Sequence, residues 1–292
     1  MLRGRAPAWL RLMGHSHRLA LGWLARGARG GWAHPRAGLY RILVPLEPWR
    51  YYELARVARE PFAGRCLDVG SPKLLASLLR REGRGDWVAI DLFSEEIERW
   101  RALDPALDLR VEDARALSFP DGHFDAVACV SVIEHIPDDG DARAMAEIWR
   151  VLRPGGVLHL TTNLAPRARE VRVGRAIYGE ASEGEPGWIF FERHYSPESL
   201  RERLLGLPWQ ELERELVRER RPVHRRFFAA RPLSFLAGNL LPLACARNFV
   251  RIDGPEGLGD REHAALYLRL AKPASADGAG AAKEGEPGSC NP

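Results

Sequence analysis

The pattern of apolar and polar positions is most regular between residues 65 and 163, where short apolar runs alternate with amphipathic ones. The runs "RCLDVG" (65–70), "WVAIDLF" (87–93), "LDLRVED" (107–113), "FDAVACVSV" (124–132) and "GGVLHLTTN" (155–163) have the length and composition of strands. Helical periodicity separates them over 72–82, 94–102 and 141–152. This alternation predicts an α/β fold, a mostly parallel sheet with helices on both faces. The run 124–132 is apolar almost throughout, as expected of a central strand buried on both sides. Further on, the pattern predicts a helix over 197–205, a strand over 209–218, an apolar helical stretch over 225–248 and a final strand over 264–272.

The two ends read differently. In residues 1–36, Trp9, Leu12, Met13, Ala20, Trp23 and Leu24 fall near helical spacing with arginines between them. Such a basic amphipathic helix could lie on an anionic membrane, pack on its own domain, or be a poorly ordered extension. A transit peptide is also compatible with its arginines, although serines are scarce. The segment "KPASADGAGAAKEGEPGSCNP" (272–292) is too small and polar to offset its ordering entropy and predicts a disordered tail. The expected organisation is an Arg-rich helical extension over 1–50, a main domain over 51–272 and a tail over 273–292.

Composition adds three constraints. The net charge of +4 hides an uneven distribution: residues 1–46 hold eight arginines and no acid, so the remainder sums to −4. Cysteines 66, 129, 245 and 290 show no metal-ligand spacing, and Cys66 and Cys129 sit in strand-like runs. That predicts free thiols, no metal site and a reducing, cytoplasmic setting, membrane-peripheral if the basic end docks. The longest apolar candidate, "PLSFLAGNLLPLACA" (232–246), spans 15 residues and contains a proline, so no transmembrane segment is expected.

Ligands of open parallel sheets bind outside the carboxyl ends of the strands. Those ends here are Asp68 to Ser71, Asp91, Asp113, and Ser131 to His135. Asp91 follows Asp68 by one strand–helix–strand step, where a carboxylate can accept hydrogen bonds from both hydroxyls of a ribose. Asp113 stands where a third strand end would meet an adenine amino group. Three carboxylates in register describe a site for an adenosine cofactor.

The segment "VEDARALSFPDGHFDAVACVSVIEHIPDDGDARAMAEIWRVLRPGGVLHLTT" (111–162) resembles the class I S-adenosylmethionine-dependent methyltransferases, in particular their small-molecule branch with a type 11-like domain. Carrying the resemblance are Asp113-Ala114, Leu117 to Asp125, Glu134-His135 and Leu152 to Gly156, within a match over about 62–163. "RHYSPESLRERL" (193–204) is similar to the helix start after the fifth strand. The resemblance implies a Rossmann-like, seven-stranded, mostly parallel sheet with helical insertions, and S-adenosyl-L-methionine as cofactor. By it the methionine end lies over Asp68, Gly70 and Ser71, the ribose on Asp91, the adenine near Asp113 and Ala114, and the sulfonium near Ser131. One departure stands out. The family's first loop carries three glycines, whereas Asp68-Val69-Gly70-Ser71-Pro72-Lys73-Leu74 keeps only the first. Lys73 would then face the cofactor's carboxylate, or else solvent.

For a hydroxyl acceptor a general base is useful, and His135, after the fourth strand, is the candidate. Glu134 would orient it or touch substrate, or the pair would only shape the loop. His194, with Tyr195, would line the opposite wall. Aromatic residues in 164–195 (Tyr178, Trp188, Phe190, Phe191) and 225–248 (Phe227, Phe228, Phe235) would form a lid, a dimer contact or core. The expected acceptor is a small molecule, or a lipid- or glycan-like one. No nucleic-acid module is recognisable, so nucleic acid is not an expected partner. The rival reading is a methyltransferase-shaped binding or scaffold protein without cofactor; a nicotinamide oxidoreductase would leave 111–162 unexplained.

Overall fold

The computed structural model describes residues 6–32, 34–70, 73–174, 188–230, 235, 237–245, 247–259 and 262–274. Among the described residues ten strands form two sheets. They are β1 (Arg65–Val69), β2 (Asp86–Asp91), β3 (Asp108–Val111), β4 (Phe124–Val130), β5 (Leu152–Leu164), β6 (Arg169–Val173), β7 (Ile189–His194), β8 (Gln210–Glu219), β9 (Phe249–Arg251) and β10 (Ala264–Ala271). The main sheet runs β3-β2-β1-β4-β5-β10-β8-β9, and β6 pairs with β7 separately. The first five are mutually parallel, whereas β10 is antiparallel to both β5 and β8.

The helices are α1 (Ala8–Gly30), α2 (Pro35–Leu43), α3 (Pro48–Val57), α4 (Leu74–Arg81), α5 (Ser94–Leu103), α6 (Gly140–Val151), α7 (Pro197–Arg203) and α8 (Val223–Ala229). Alternation along each strand sends successive side chains to opposite faces. On β4, Ala126, Ala128 and Val130 join the core under α1, α3, α4 and α5, while Val127 and Cys129 join the core under α6 and α7. Cys66 and Cys129 belong to different cores and, like Cys245, are free.

At three places the structure adds to the expectation or decides between its alternatives. The main sheet has eight strands rather than seven, because Phe249–Arg251 adds an edge to β8. The stretch 164–195 contributes two paired strands, Arg169 opposite His194 and Val173 opposite Ile189. Of the alternatives for residues 1–36, packing on the rest of the protein is the one seen for α1: Leu12, Leu19, Ala20 and Trp23 are buried. Gly38 permits this packing, since a Cβ there would lie 2.2 Å from the Trp23 ring. Arginines of α1 serve the same docking, Arg11 pairing with Glu82 and Arg26 donating to the Ala102 and Leu103 carbonyls at the end of α5. Helix α3 crosses the boundary expected at residues 50/51. Residues 275–292, where the tail is expected, and Tyr178 lie outside the described residues. Among the described residues no helix is long and apolar enough to cross a membrane.

Candidate active site

The parallel strands β3, β2, β1 and β4 bring Val111, Asp91, Val69 and Val130 to one sheet edge. At the end of β1, Gly70 adopts a φ of +59°, and a Cβ there would lie 2.9 Å from the Val132 methyl groups. Both the backbone and the space therefore require glycine. Its N–H donates to the Ile90 carbonyl at 2.9 Å, tying the first loop to β2. Asp68 is 1% exposed, and burial pushes its carboxyl up to about 8 against the pull of the Lys73 ammonium. Its Oδ2 is buried without a hydrogen-bond partner.

Lys73 is wholly buried, and its ammonium pairs with Asp91. It thus faces the expected ribose acid rather than a cofactor carboxylate or solvent. A buried ammonium requires a counter-charge, and Asp91 supplies it. Ser71 and Pro72 lie outside the described residues. Asp91 also accepts the Phe93 N–H on Oδ1, at 3.1 Å. Asp113 is bridged by Arg115 at 2.7 Å, which holds its carboxyl below the ordinary range. Ala114 follows it, half-buried.

At the end of β4 the backbone turns through Ser131, whose φ of +52° is uncommon for a residue with a side chain. The turn is braced from below. Ser131 Oγ donates to Glu134 Oε1 at 2.9 Å, and Thr162 Oγ1 donates to Oε2 at 3.1 Å. Glu134 is 3% exposed, so these bonds give it the loop-shaping role. His135 follows, with Nδ1 2.7 Å from the Phe191 carbonyl. A carbonyl can only accept, so Nδ1 carries the hydrogen and Nε2 is the basic nitrogen.

His194 is set deeper than expected. It is buried, accepts from Arg169 Nε at 3.0 Å on Nδ1, and donates from Nε2 to Glu192 at 2.8 Å. Burial pushes the Glu192 carboxyl up, but the His194 hydrogen bond and the fields of His194, His135 and His263 prevail and lower it. Glu192, hydrogen-bonded to His194, thus also feels the charge of His135. Tyr195 is fully buried and donates to Asp141 at 2.9 Å.

Two residues of the site were missed in the sequence. Arg50 and Glu53 of α3 pair at 2.7 Å, and Arg50 reaches the Val130 carbonyl at 3.4 Å. Glu53 is buried, which pushes its carboxyl up, and Glu134 adds to the effect. The available signal was Pro48 opening a helix with Arg50 and Glu53 three residues apart; ending the extension at residue 50 cut that helix.

The edge fits an adenosine cofactor on its own chemistry. The orphaned Asp68 Oδ2 is a hydrogen-bonding atom awaiting a partner, and the Gly70 turn leaves backbone without a Cβ beside it. Asp91 uses one oxygen for Lys73 and the other for Phe93, yet a carboxylate offers about four lone-pair sites. A ribose diol can therefore share it.

Comparison with known proteins gives the same outline. Residues 67–160 match the family model described as "Methyltransferase domain". Over 150 residues the chain is 37% identical to a ubiquinone biosynthesis O-methyltransferase of Xanthomonas axonopodis pv. citri, covering 48% of this chain and 60% of that protein. A ubiquinone biosynthesis O-methyltransferase of Xylella fastidiosa is 34% identical over 139 residues, 45% of this chain and 54% of that one. The chain thus spans little more than half the length of these relatives. A phosphoethanolamine N-methyltransferase 2 of Haemonchus contortus, solved with S-adenosyl-L-methionine, superposes with a TM-score of 0.50 at 16% identity, over 86% of this chain and 60% of that one. That last likeness is one of fold. The matched segment, residues 67–160, is thus similar to a methyltransferase domain and coincides with the parallel strands β1 to β5.

Proposed function

We propose that the chain is an S-adenosylmethionine-dependent methyltransferase acting on a hydroxyl of a small-molecule acceptor. The observation that carries this is His135, fixed by Phe191 with Nε2 basic, at the same sheet edge as Asp68, Asp91 and Asp113. When bound, the cofactor supplies an electrophilic methyl group. Asp68 and Gly70 hold its amino-acid end, with Ser71 in the same loop, and Lys73 fixes Asp91 in place. Asp91 accepts the ribose hydroxyls, Asp113 and Ala114 meet the adenine, and Ser131 borders the sulfonium. His135 Nε2 accepts the proton of the acceptor hydroxyl, and Glu192, with His194 behind it, stabilises the imidazolium formed. Positioning in a dry pocket supplies much of the remaining acceleration.

The relatives named for ubiquinone biosynthesis favour an O-directed reaction on a lipid-like acceptor of that kind. The buried thiols fit a cytoplasmic protein. Calorimetric titration with S-adenosylmethionine and its demethylated product, using wild type and Asp91→Asn, tests cofactor use. Saturable binding that the variant weakens at least 100-fold is expected. A folded wild-type protein that binds neither compound overturns the reading and leaves a methyltransferase-shaped scaffold. With a hydroxylated acceptor, His135→Gln is expected to lower kcat about 10²–10⁴-fold while KM for cofactor stays unchanged.

A further inference from the structure

Away from the strand ends, a cavity of about 320 Å³ opens between α1, the last turn of α4 and the end of α5. Arg18 and Arg26 of α1 and Arg80 and Arg81 of α4 line it, against a single carboxylate, Asp104. Two of these guanidiniums are committed. Arg26 donates to the Ala102 and Leu103 carbonyls at 2.6 and 2.9 Å, and Arg80 reaches Asp104 at 3.4 Å. Arg18 and Arg81 are exposed and make no hydrogen bond or ion pair among the described residues.

The cavity is also lined by a buried group with an unmet need. His15 is 5% exposed, with Nε2 2.7 Å from Ser77 Oγ, and that hydroxyl donates to Asp104 Oδ2 at 2.5 Å. Because the Ser77 hydrogen goes to Asp104, Nε2 must carry the hydrogen given to Ser77. The relay Asp104–Ser77–His15 therefore leaves Nδ1 as an acceptor, and Nδ1 is buried with no partner. Burial, with Arg81 and Arg18 adding to it, keeps the ring neutral, its pKa lowered to about 4.

We propose that this cavity binds a phosphate monoester or inorganic phosphate. Such an anion carries negative oxygens for Arg18 and Arg81 and, in its hydrogen phosphate form, an O–H for His15 Nδ1. Sulfate matches the charge but has no O–H at neutral pH, so the geometry discriminates between the two. The same chemistry is offered by a free phosphate compound or by the headgroup of phosphatidic acid. The site is independent of methyl transfer.

The test is calorimetric titration of the full chain with sodium phosphate and with sodium sulfate at pH 7, beside sedimentation with phosphatidylcholine vesicles carrying 20% phosphatidic acid. Phosphate is expected to bind at least tenfold more tightly than sulfate, and the double variant Arg18→Ala/Arg81→Ala to lose at least tenfold in affinity. His15→Phe, checked for folding by its melting curve, is expected to abolish the preference over sulfate. Sedimentation with the vesicles but not with phosphatidylcholine alone, lost in the double variant, assigns the headgroup as source; no sedimentation with phosphate binding intact assigns a free phosphate. Equal binding of sulfate and phosphate, binding unaffected in the double variant, or no binding to any probe overturns the proposal.

Discussion

Asp68 and Asp141 are both almost completely buried carboxylates, 1% and 0% exposed, yet their surroundings are opposite. Asp141 opens α6 and is clasped by Arg193 at 2.7 Å, Arg203 at 2.6 Å and the Tyr195 hydroxyl at 2.9 Å. Burial alone would raise its carboxyl, but these partners outweigh burial and hold it below the ordinary range. Asp68 keeps one oxygen without a partner, and burial drives its carboxyl up to about 8. The first arrangement is closed: every lone pair has a use within the protein, and it bolts the β6–β7 sheet to α6 and α7. The second is open. A buried polar atom left unmet costs stability, so its persistence at a strand end marks a place completed by something else.

Removing the closed carboxylate should have the larger effect on stability. Asp141→Ala leaves two buried or half-buried guanidiniums without their anion and should cost about 3–5 kcal/mol, measured by urea denaturation at pH 7. Because the folded-state pKa of Asp141 is lowered, its contribution is present above the unfolded value near 4 and is lost as pH falls through the folded one. The difference between wild type and variant should accordingly shrink in strong acid. A variant as stable as wild type at pH 7 would break the contrast.

A buried base extends the comparison. His159 is 4% exposed, lies against the Phe62 ring, and has Nδ1 3.0 Å from the Tyr267 hydroxyl. Burial lowers its pKa to about 4. Its unfolded value is about 6.5, so the unfolded state binds the extra proton between these limits. Stability is therefore full above pH 6.5 and falls toward pH 4, by about 3 kcal/mol from this one group. His159→Gln should flatten that part of the melting-temperature profile. His15 and His263, also lowered to about 4, should keep the remainder of the slope.

The smallest expected change has the opposite sign. The raised pKa of Asp68 means that the folded state holds a proton which the unfolded state has lost, so its cost grows as pH rises from about 4 to about 8. Asp68→Asn should thus stabilise the protein at pH 7 by on the order of 1–3 kcal/mol, and by nothing below pH 4. The same substitution should weaken S-adenosylmethionine binding. Stability gained together with affinity lost is the signature of an unfinished site; a loss of both would make Asp68 a structural residue like Asp141.

The strands β1 to β5 and helices α4 to α6 were legible to within a few residues, because each apolar run there is buried by its own local period. The positions of the strand-end acids were legible for the same reason, since each follows its buried strand directly. What lay hidden depended on distant partners. Lys73 reads as a surface residue until Asp91, eighteen positions on, is brought against it. Its ion pair is invisible to periodicity. The pair β6–β7 is short and charged, with Arg169, Glu170 and Arg172 on one strand, and its Arg193 is anchored by Asp141, from before it in the chain. Helix α3 brings Arg50 and Glu53 over the end of β4 by tertiary packing that no local pattern records.

The order of the sheet also bears on how the chain is made. β10 lies between β5 and β8, pairing Ala264 with Leu164 and Ala265 with Val217. At a ribosomal rate of about 5–20 residues per second, the outer edge of β5 must wait on the order of 5–20 seconds for its neighbour. During that interval an uncapped, apolar strand edge is open to other nascent chains. The other strand that waits for β10, "QELERELVRE" (210–219), carries a charge at most positions. Four glutamates against two arginines leave each copy of that segment net negative, and this repulsion offsets the exposure caused by the late arrival of β10, favouring closure within one chain over exchange of strands between two.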